Sequence, residues 1–195
     1  MLRRSSSLLR QLMLTFLLAL LAFAGTSVSH AADVEVKSAK IESSDEGYRL
    51  AAVFSIELSE GLRKAIKEGI PVSFTTEVEL TRSRWYWVDE KVVRSENTVK
   101  IAFNEWTQQY TVIVNNGLQQ TFPSLDSALN LVLRPSRWLI AEKSLLTSGA
   151  TYTVAVQLRM GLSKIPMHFQ IPTFNDSNWS QKTEWKRFSF KADDK

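Results

Sequence analysis

The sequence predicts a single domain that is mainly β and carries two short helices. Apolar and polar residues alternate over residues 72–80 and again over 48–58, which is typical of strands with one face on a core and one toward water. Asn115-Asn116-Gly117 separates two further alternating runs and is a strong β-hairpin signal. A chain of 195 residues is long enough to form one such domain around an ordinary hydrophobic core.

The pattern Leu146-x-x-Gly149-x-x-Tyr152 indicates which kind of β domain this is. Tyr152 starts a long alternating run that continues to Met160. A tyrosine at a strand start that bonds back over the preceding turn is the tyrosine corner of immunoglobulin-type and fibronectin-type sandwiches. We therefore expect an immunoglobulin-like or fibronectin-like β-sandwich. The alternative is an α+β domain in which one sheet is packed by both helices.

The N-terminus has the composition of a secretory signal peptide over residues 1–31. Three arginines precede an apolar run over residues 12–24, and Ser29-His30-Ala31 supplies a cleavage site. The apolar run is shorter than the ~20 residues that a membrane-spanning helix needs. We expect cleavage after Ala31 and a mature chain in the periplasm that has no transmembrane segment. An anchor that stays uncleaved is the alternative.

The mature domain is expected to cover residues 32–190, with residues 191–195 as a frayed tail. The whole chain has 24 basic and 20 acidic residues, and the leader holds three arginines and no acid, so the mature chain has 21 against 20. Proteins that bind nucleic acid usually carry a basic surface, so this balance of charges argues against a nucleic-acid partner. The chain has no cysteine, so its stability must come from packing rather than from disulfides.

The two helices are predicted from their capping residues. Ser59 can cap a short helix that Gly69 ends and Pro71 prevents from continuing. Ser124 can cap a second helix over residues 125–133. The alternating runs predict strands at residues 34–41, 48–58, 72–80, 92–93, 99–103, 110–114, 118–122, 152–160, 165–174 and 185–190.

The densest group of arginines and aromatics in the chain follows the strand at residues 72–80. If that strand ran on unbroken, Arg82 and Arg84 would fall on its core face and Trp85 and Trp87 on its wet face. We therefore expect a bulge near Ser83 that buries the tryptophans, while an exposed aromatic face is the alternative. The candidate binding residues are Arg82, Arg84, Trp85, Tyr86, Trp87, Asp89, Trp106 and Tyr110.

Several classes of enzyme lack their residues in this sequence. The mature chain has one histidine, His168, and no cysteine, so neither a zinc site nor a serine triad is expected. The seven glycines form no phosphate-binding loop. We expect no metal and no cofactor. A glycosidase is the remaining enzyme class, because Asp89, Glu90 and Glu105 lie near tryptophans in the sequence.

A set of motifs resembles a proteobacterial family of exported proteins known as domain of unknown function 4390. The resemblance covers nearly the whole mature chain, although Met167-His168 stands where a second basic-proline pair is expected. The family has no assigned activity, so the resemblance implies no reaction. The matching motifs are Arg82-x-Arg84-Trp85-Tyr86-Trp87-x-Asp89-Glu90, Trp106-Thr107-Gln108-Gln109-Tyr110, Gln119-Gln120-Thr121-Phe122, Gly149-x-x-Tyr152, Ile165-Pro166-x-x-Phe169-Gln170 and Trp179…Trp185.

These observations together favour an exported, non-enzymatic binding module with an envelope protein as its partner. The resemblance adds that family members tend to be encoded near a sensor kinase of the nitrogen-regulation type, which implies an accessory to envelope sensing. The alternative is a glycan-binding or glycan-cleaving protein that uses the region of Trp85 and Trp87.

Overall fold

The computed structural model describes residues 34–84, 86, 88–115, 117–135, 138–163 and 179–193. Residues 32–195 form one compact unit. Its strands are β1 (Val34–Ser44), β2 (Gly47–Ile56), β3 (Val72–Arg82), β4 (Glu90–Asn104), β5 (Gln109–Val114), β6 (Leu118–Phe122), β7 (Trp138–Glu142), β8 (Thr151–Leu162), β9 (Ser180–Lys182) and β10 (Lys186–Lys191). The helices are α1 (Glu60–Lys67) and α2 (Leu125–Leu133), and a 3-10 turn covers Lys143–Leu145.

The strands form two antiparallel sheets, which confirms the prediction of a mainly β sandwich with two short helices. The smaller sheet has the order β1-β2-β7. The larger has the order β10-β8-β3-β4-β5-β6, with β9 also paired to β8. In an immunoglobulin-type sandwich, strands A, B and E share one sheet and strands G, F, C and C′ the other. The described strands follow that order, with β5 and β6 added beyond the C′ position. The α+β alternative is wrong, because it predicted a single sheet packed by both helices, whereas the strands form two sheets.

The core lies between the two sheets, as the alternation in β3 predicts. Val72, Phe74, Val78 and Leu80 are all buried, and their partners in β4 and β8 are apolar except Ser95, which faces Val78. Full burial of one such side chain contributes roughly 1.5–3 kcal/mol. The smaller sheet packs onto this layer, and the rings of Tyr48 in β2 and Phe190 in β10 meet edge to face at 5.5 Å.

Lys186 joins the sheets at one edge. Lys186 is the first residue of β10, and it pairs with the buried Val156 of β8, so both lie on the core side of the sheet. Its Nζ donates to the carbonyl oxygens of Val36 and Lys37, at 3.0 and 2.9 Å, where a bulge interrupts β1. These bonds join β10 of the larger sheet to the bulge in β1 of the smaller one.

Both helices form where their capping residues predict. The Leu62 N–H donates to Ser59 Oγ at 3.3 Å, and the Ser127 N–H donates to Ser124 Oγ at 3.2 Å. Gly69 leaves α1 with a φ of 76°, a conformation that glycine adopts without strain. The helices pack on β3, β4 and β8 (α1) and on β2, β5 and β6 (α2). They add buried residues to the same core.

Several elements differ from the sequence prediction. The pieces at 92–93 and 99–103 belong to one strand, β4, which has 15 residues. The short strands β7 and β9 were not predicted, because three to five residues are too few to show a period. The strand expected at 165–174 lies outside the described residues.

Residues 191–193 of the expected tail make backbone contacts: Lys191 ends β10, and Ala192 and Asp193 pair with the turn before β8. Ala192 is buried, and its N–H donates to the Ala150 carbonyl at 3.0 Å. Its own carbonyl accepts from the Gly149 N–H at 3.1 Å, and Ser148 Oγ donates to the carbonyl of Asp193. The turn before β8 therefore holds the end of the chain by backbone pairing.

Candidate functional site

The turn before β8 is built on Tyr152, as the sequence predicts. Tyr152 is buried, and its hydroxyl oxygen accepts a 2.8 Å hydrogen bond from the backbone N–H of Thr147. Gly149 makes the turn possible with a φ of 72°. This is the geometry of a tyrosine corner, in which the ring plugs the core and the hydroxyl holds the preceding turn.

Arg82 contacts this corner from the end of β3. Its Nη1 donates to Thr147 Oγ1 at 3.3 Å, and its Nη2 donates to Glu90 Oε2 at 2.8 Å. Arg84 pairs with the same carboxylate oxygen. Hydrogen bonds from Arg84 and Arg82 hold the pKa of Glu90 below its ordinary value, and the bond to Glu90 raises the pKa of Arg82. One carboxylate therefore ties both arginines to the start of β4.

The register of β3 explains how Arg82 can lie on the face of the strand that points to the core. β3 pairs with β8 without a shift as far as Thr81. The shift lies on the side of β4, where Leu80 faces Val93 and Thr81 faces Lys91, so Val92 is the extra residue. Arg82 therefore lies on the same face of β3 as Leu80. It is at the end of the strand, where it pairs with the carboxylate of Glu90.

The arginine loop, residues 83–89, joins β3 to β4 and includes Arg84 of this ion cluster. Tyr86 and Val88 are 65% and 78% exposed, and Asp89 is exposed beside them. Trp85 and Trp87 lie outside the described residues, so the bulge near Ser83 that would bury them stays a prediction. The described residues of the loop thus combine an arginine held by Glu90 with two exposed large side chains, Tyr86 and Val88.

Trp106 lies at the opposite end of the larger sheet. It is 97% exposed in the turn between β4 and β5. Asn104 Oδ1 accepts from the N–H groups of Trp106 and Thr107, at 2.9 and 3.2 Å, and Gln108 Nε2 donates to the Glu105 carbonyl at 2.7 Å. These bonds define the backbone of the turn while leaving the indole in solvent.

The length of β4 separates Trp106 from the arginine loop. β4 has fifteen residues, from Glu90 to Asn104, and spans roughly 45 Å. The candidate residues therefore do not form one site. Glu105 is equally far from Glu90, whereas the two carboxyl groups of a glycosidase lie about 5–9.5 Å apart.

Tyr110 lies at the edge of the core. It pairs with Phe103 across β4 and β5, and their rings lie 5.0 Å apart. Its side chain is half-buried against the core. The cross-strand position explains this, because residues 103 and 110 face inward with Ile101 and Val112.

The outer face of the larger sheet carries a buried carboxylate that sequence alternation assigns to solvent. The side chain of Glu77 is only 6% exposed, and it pairs with Arg159 and, at 3.9 Å, with Arg94. Gln157 lies opposite it in β8 and is also buried, with its Nε2 donating to the Thr183 carbonyl at 2.8 Å. No local signal predicts this burial, because the arginines come from two other strands.

The described residues show no group of three or more histidine, cysteine or acidic side chains that could hold a metal ion. Within the same residues, no helix is long and apolar enough to cross a membrane. His168 lies outside them.

Comparison with known proteins identifies a family. No curated protein and no solved structure matches the chain significantly. The family model described as Domain of unknown function (DUF4390) matches residues 31–189. That match covers nearly all of the sandwich, including the arginine loop, the Trp106 turn and the tyrosine corner. The chain therefore belongs to the DUF4390 family.

Proposed function

We propose that this protein is an exported, non-enzymatic binding module that recognises a protein partner in the bacterial envelope. The observation that carries the proposal is Trp106, whose side chain is 97% exposed on a turn that three hydrogen bonds define. Burying an indole is worth several kcal/mol, and tryptophan is enriched among the residues that dominate binding energy. A turn that is already ordered loses little entropy when a partner binds.

The arginine loop supplies a second exposed group at the other end of the sheet. Its ion cluster orders the base of the loop, and Tyr86 and Val88 are exposed beyond it. Because roughly 45 Å separates this loop from Trp106, one small partner does not reach both. Trp106 is therefore the primary contact, and the loop serves a larger partner or a second one.

Export places the module in the periplasm, through the leader at residues 1–31. The neighbourhood of a sensor kinase, implied by the family resemblance, fits an accessory to envelope sensing.

Glycan binding is the second candidate, because an exposed indole also stacks on sugar rings. Glycan cleavage has less support, since Glu90 is held by two arginines and Glu105 lies at the far end of β4. Both candidates place Trp106 at the contact, so the chemical nature of the captured material distinguishes them.

The test is quantitative affinity capture from envelope extract, with residues 32–195 as bait. We compare the wild-type protein with Trp106→Ala and Arg84→Ala. Leu145→Ala is the control, because Leu145 is also an exposed large apolar residue but lies in another turn. We expect Trp106→Ala to reduce capture of a specific protein at least about tenfold, which corresponds to one strong contact residue. Leu145→Ala should capture as much as wild type.

Equal capture by wild type and Trp106→Ala would refute the role of Trp106. Capture of cell-wall glycan that resists protease, lost in Trp106→Ala, would replace the protein partner with a sugar. Arg84→Ala separates the two ends of the sheet, because it should alter only a partner that contacts the arginine loop.

A further inference from the structure

Within the described residues, the two sheets present four edges, and three of these are protected against pairing with another strand. β1 is charged along its length and carries a bulge between Val36 and Ser38. β10 contains three cations in six residues, and β9 beside it ends in Lys182. β7 ends in Glu142 and is shifted in register against β2. Charges and bulges are the ordinary means by which sheet edges avoid association.

β6 has none of these protections. Its sequence is Leu-Gln-Gln-Thr-Phe, without a charge or a proline, and its register with β5 is regular. The uncharged stretch is long, because residues 106–125 contain no lysine, arginine, aspartate or glutamate. In the part of the chain that the structure describes, β6 pairs with β5 only. Among those residues, the backbone N–H and C=O groups on its other side therefore have no strand partner.

The side chains of β6 add apolar surface to that open edge. Gln120 lies opposite the buried Val112, so Leu118, Gln120 and Phe122 share the inner face of the sheet. Leu118 is 62% exposed, and Phe122 is half-buried. A neighbouring strand on this side would cover both.

We propose that two copies of this chain pair through β6, joining their larger sheets into one continuous antiparallel sheet about a two-fold axis. With Gln120 at the axis, Leu118 faces Phe122 of the partner subunit, and Gln119 faces Thr121 of the partner subunit. Each copy contributes the same patch, as a two-fold interface requires. The two Gln120 amides meet at the axis, where each can donate to and accept from the other.

The lack of charge is the reason to favour a second copy as the occupant. In two-fold antiparallel pairing, any charge at the axis meets an identical charge, which is destabilising. β6 avoids this at every position. The inner-face residues are also self-complementary, because the exposed leucine at one end meets the phenylalanine at the other.

Helix α2 enlarges the contact beyond five residues of strand. It packs on β5 and β6, with Ala128, Leu129 and Val132 buried. Leu131 and Leu133 stand about 100° to either side of Val132 and are only partly buried. In the proposed dimer, the apolar flanks of α2 lie on the same sheet as the paired β6 strands.

The experiment measures the mass of residues 32–195 in solution by sedimentation equilibrium over a wide range of protein concentration. Gln120→Lys and Gln120→Glu place like charges at the axis, so each variant alone should raise the dimer dissociation constant at least about tenfold. An equimolar mixture of the two should recover the dimer as a mixed pair. Ser189→Lys adds the same charge to another edge strand and should leave the wild-type dimer intact.

Circular dichroism of each variant alone establishes that it is folded. A wild-type protein that is monomeric at every concentration would overturn the proposal and leave the edge to a strand of another protein. So would a dimer that Gln120→Lys does not weaken, or folded variants whose mixture stays monomeric. Trp106→Ala should leave the dimer unchanged, so this result and the test of the proposed function are independent.

Discussion

At the scale of single residues, two stretches that are distant in the sequence, residues 82–90 and 147–152, meet at one end of the sandwich. Tyr152 accepts a hydrogen bond from the backbone of Thr147, and Arg82 donates to the hydroxyl of the same threonine. The carboxylate of Glu90 forms ion pairs with Arg82 and Arg84. Arg82 and Arg84 are thus committed to intramolecular pairing. Their exposed neighbours Tyr86 and Val88 are the better candidates for contact with a partner.

Tyr152→Phe should lower the free energy of unfolding by about 1–2 kcal/mol. The ring remains in the core, but the Thr147 N–H loses its acceptor. Tyr110→Phe is the matched control, because no hydrogen bond from its hydroxyl occurs among the described residues, and it should stay within about 0.5 kcal/mol. Urea titration measures both. Equal midpoints for wild type and Tyr152→Phe would show that the bond does not stabilise the turn.

At the scale of elements, the join between β2 and β7 depends on a close backbone approach. Gly47 starts β2 with a φ of 148° and faces Glu142 of β7. A Cβ at this position would lie 2.2 Å from the carbonyl oxygen of Ala141. The three atoms nearest to this Cβ all belong to the backbone of β7, so no flexible side chain could move away.

We therefore expect Gly47→Ala to destabilise the fold by about 3 kcal/mol, through strain and loss of pairing with β7. Gly117→Ala is the control in the β5–β6 turn, where the nearest atom to a new Cβ is 3.8 Å away. That variant should change stability by less than about 1 kcal/mol. Thermal or urea unfolding of both proteins gives the comparison, and a Gly47→Ala protein as stable as wild type would refute the steric argument.

At the scale of the whole molecule, the larger sheet sets the distance between the surfaces that we propose for binding. β4 runs its full length, with the arginine loop before it and the Trp106 turn after it. The uncharged edge at β6 is a third surface, at the side of the same sheet.

The processing prediction also concerns the whole molecule. We expect cleavage after Ala31, since the basic start, the short apolar run and Ser29-His30-Ala31 match a secretory leader. Intact-mass measurement on periplasmic material should find a protein that begins at Ala32. A full-length mass in the membrane fraction would instead indicate an anchored form.

Much of the architecture follows from the sequence by itself, because the responsible signals are local. Alternation in β2 and β3, serine caps on α1 and α2, and the spacing from Gly149 to Tyr152 each depend on residues close in the chain. Together they predict a sandwich with two helices, and the family motifs lie within the same stretches.

What only the tertiary structure decided depends on contacts between distant segments. Trp106 and Tyr110 stand four residues apart, yet one is in solvent and the other packs on Phe103, because a turn and a strand face follow each other there. Glu77 has the spacing of a surface residue but is buried by arginines from β4 and β8. The unprotected edge at β6 likewise exists only because of the order of the strands. Alternation states that a residue faces away from the core, whereas its surroundings there are set by strand pairing across the whole chain.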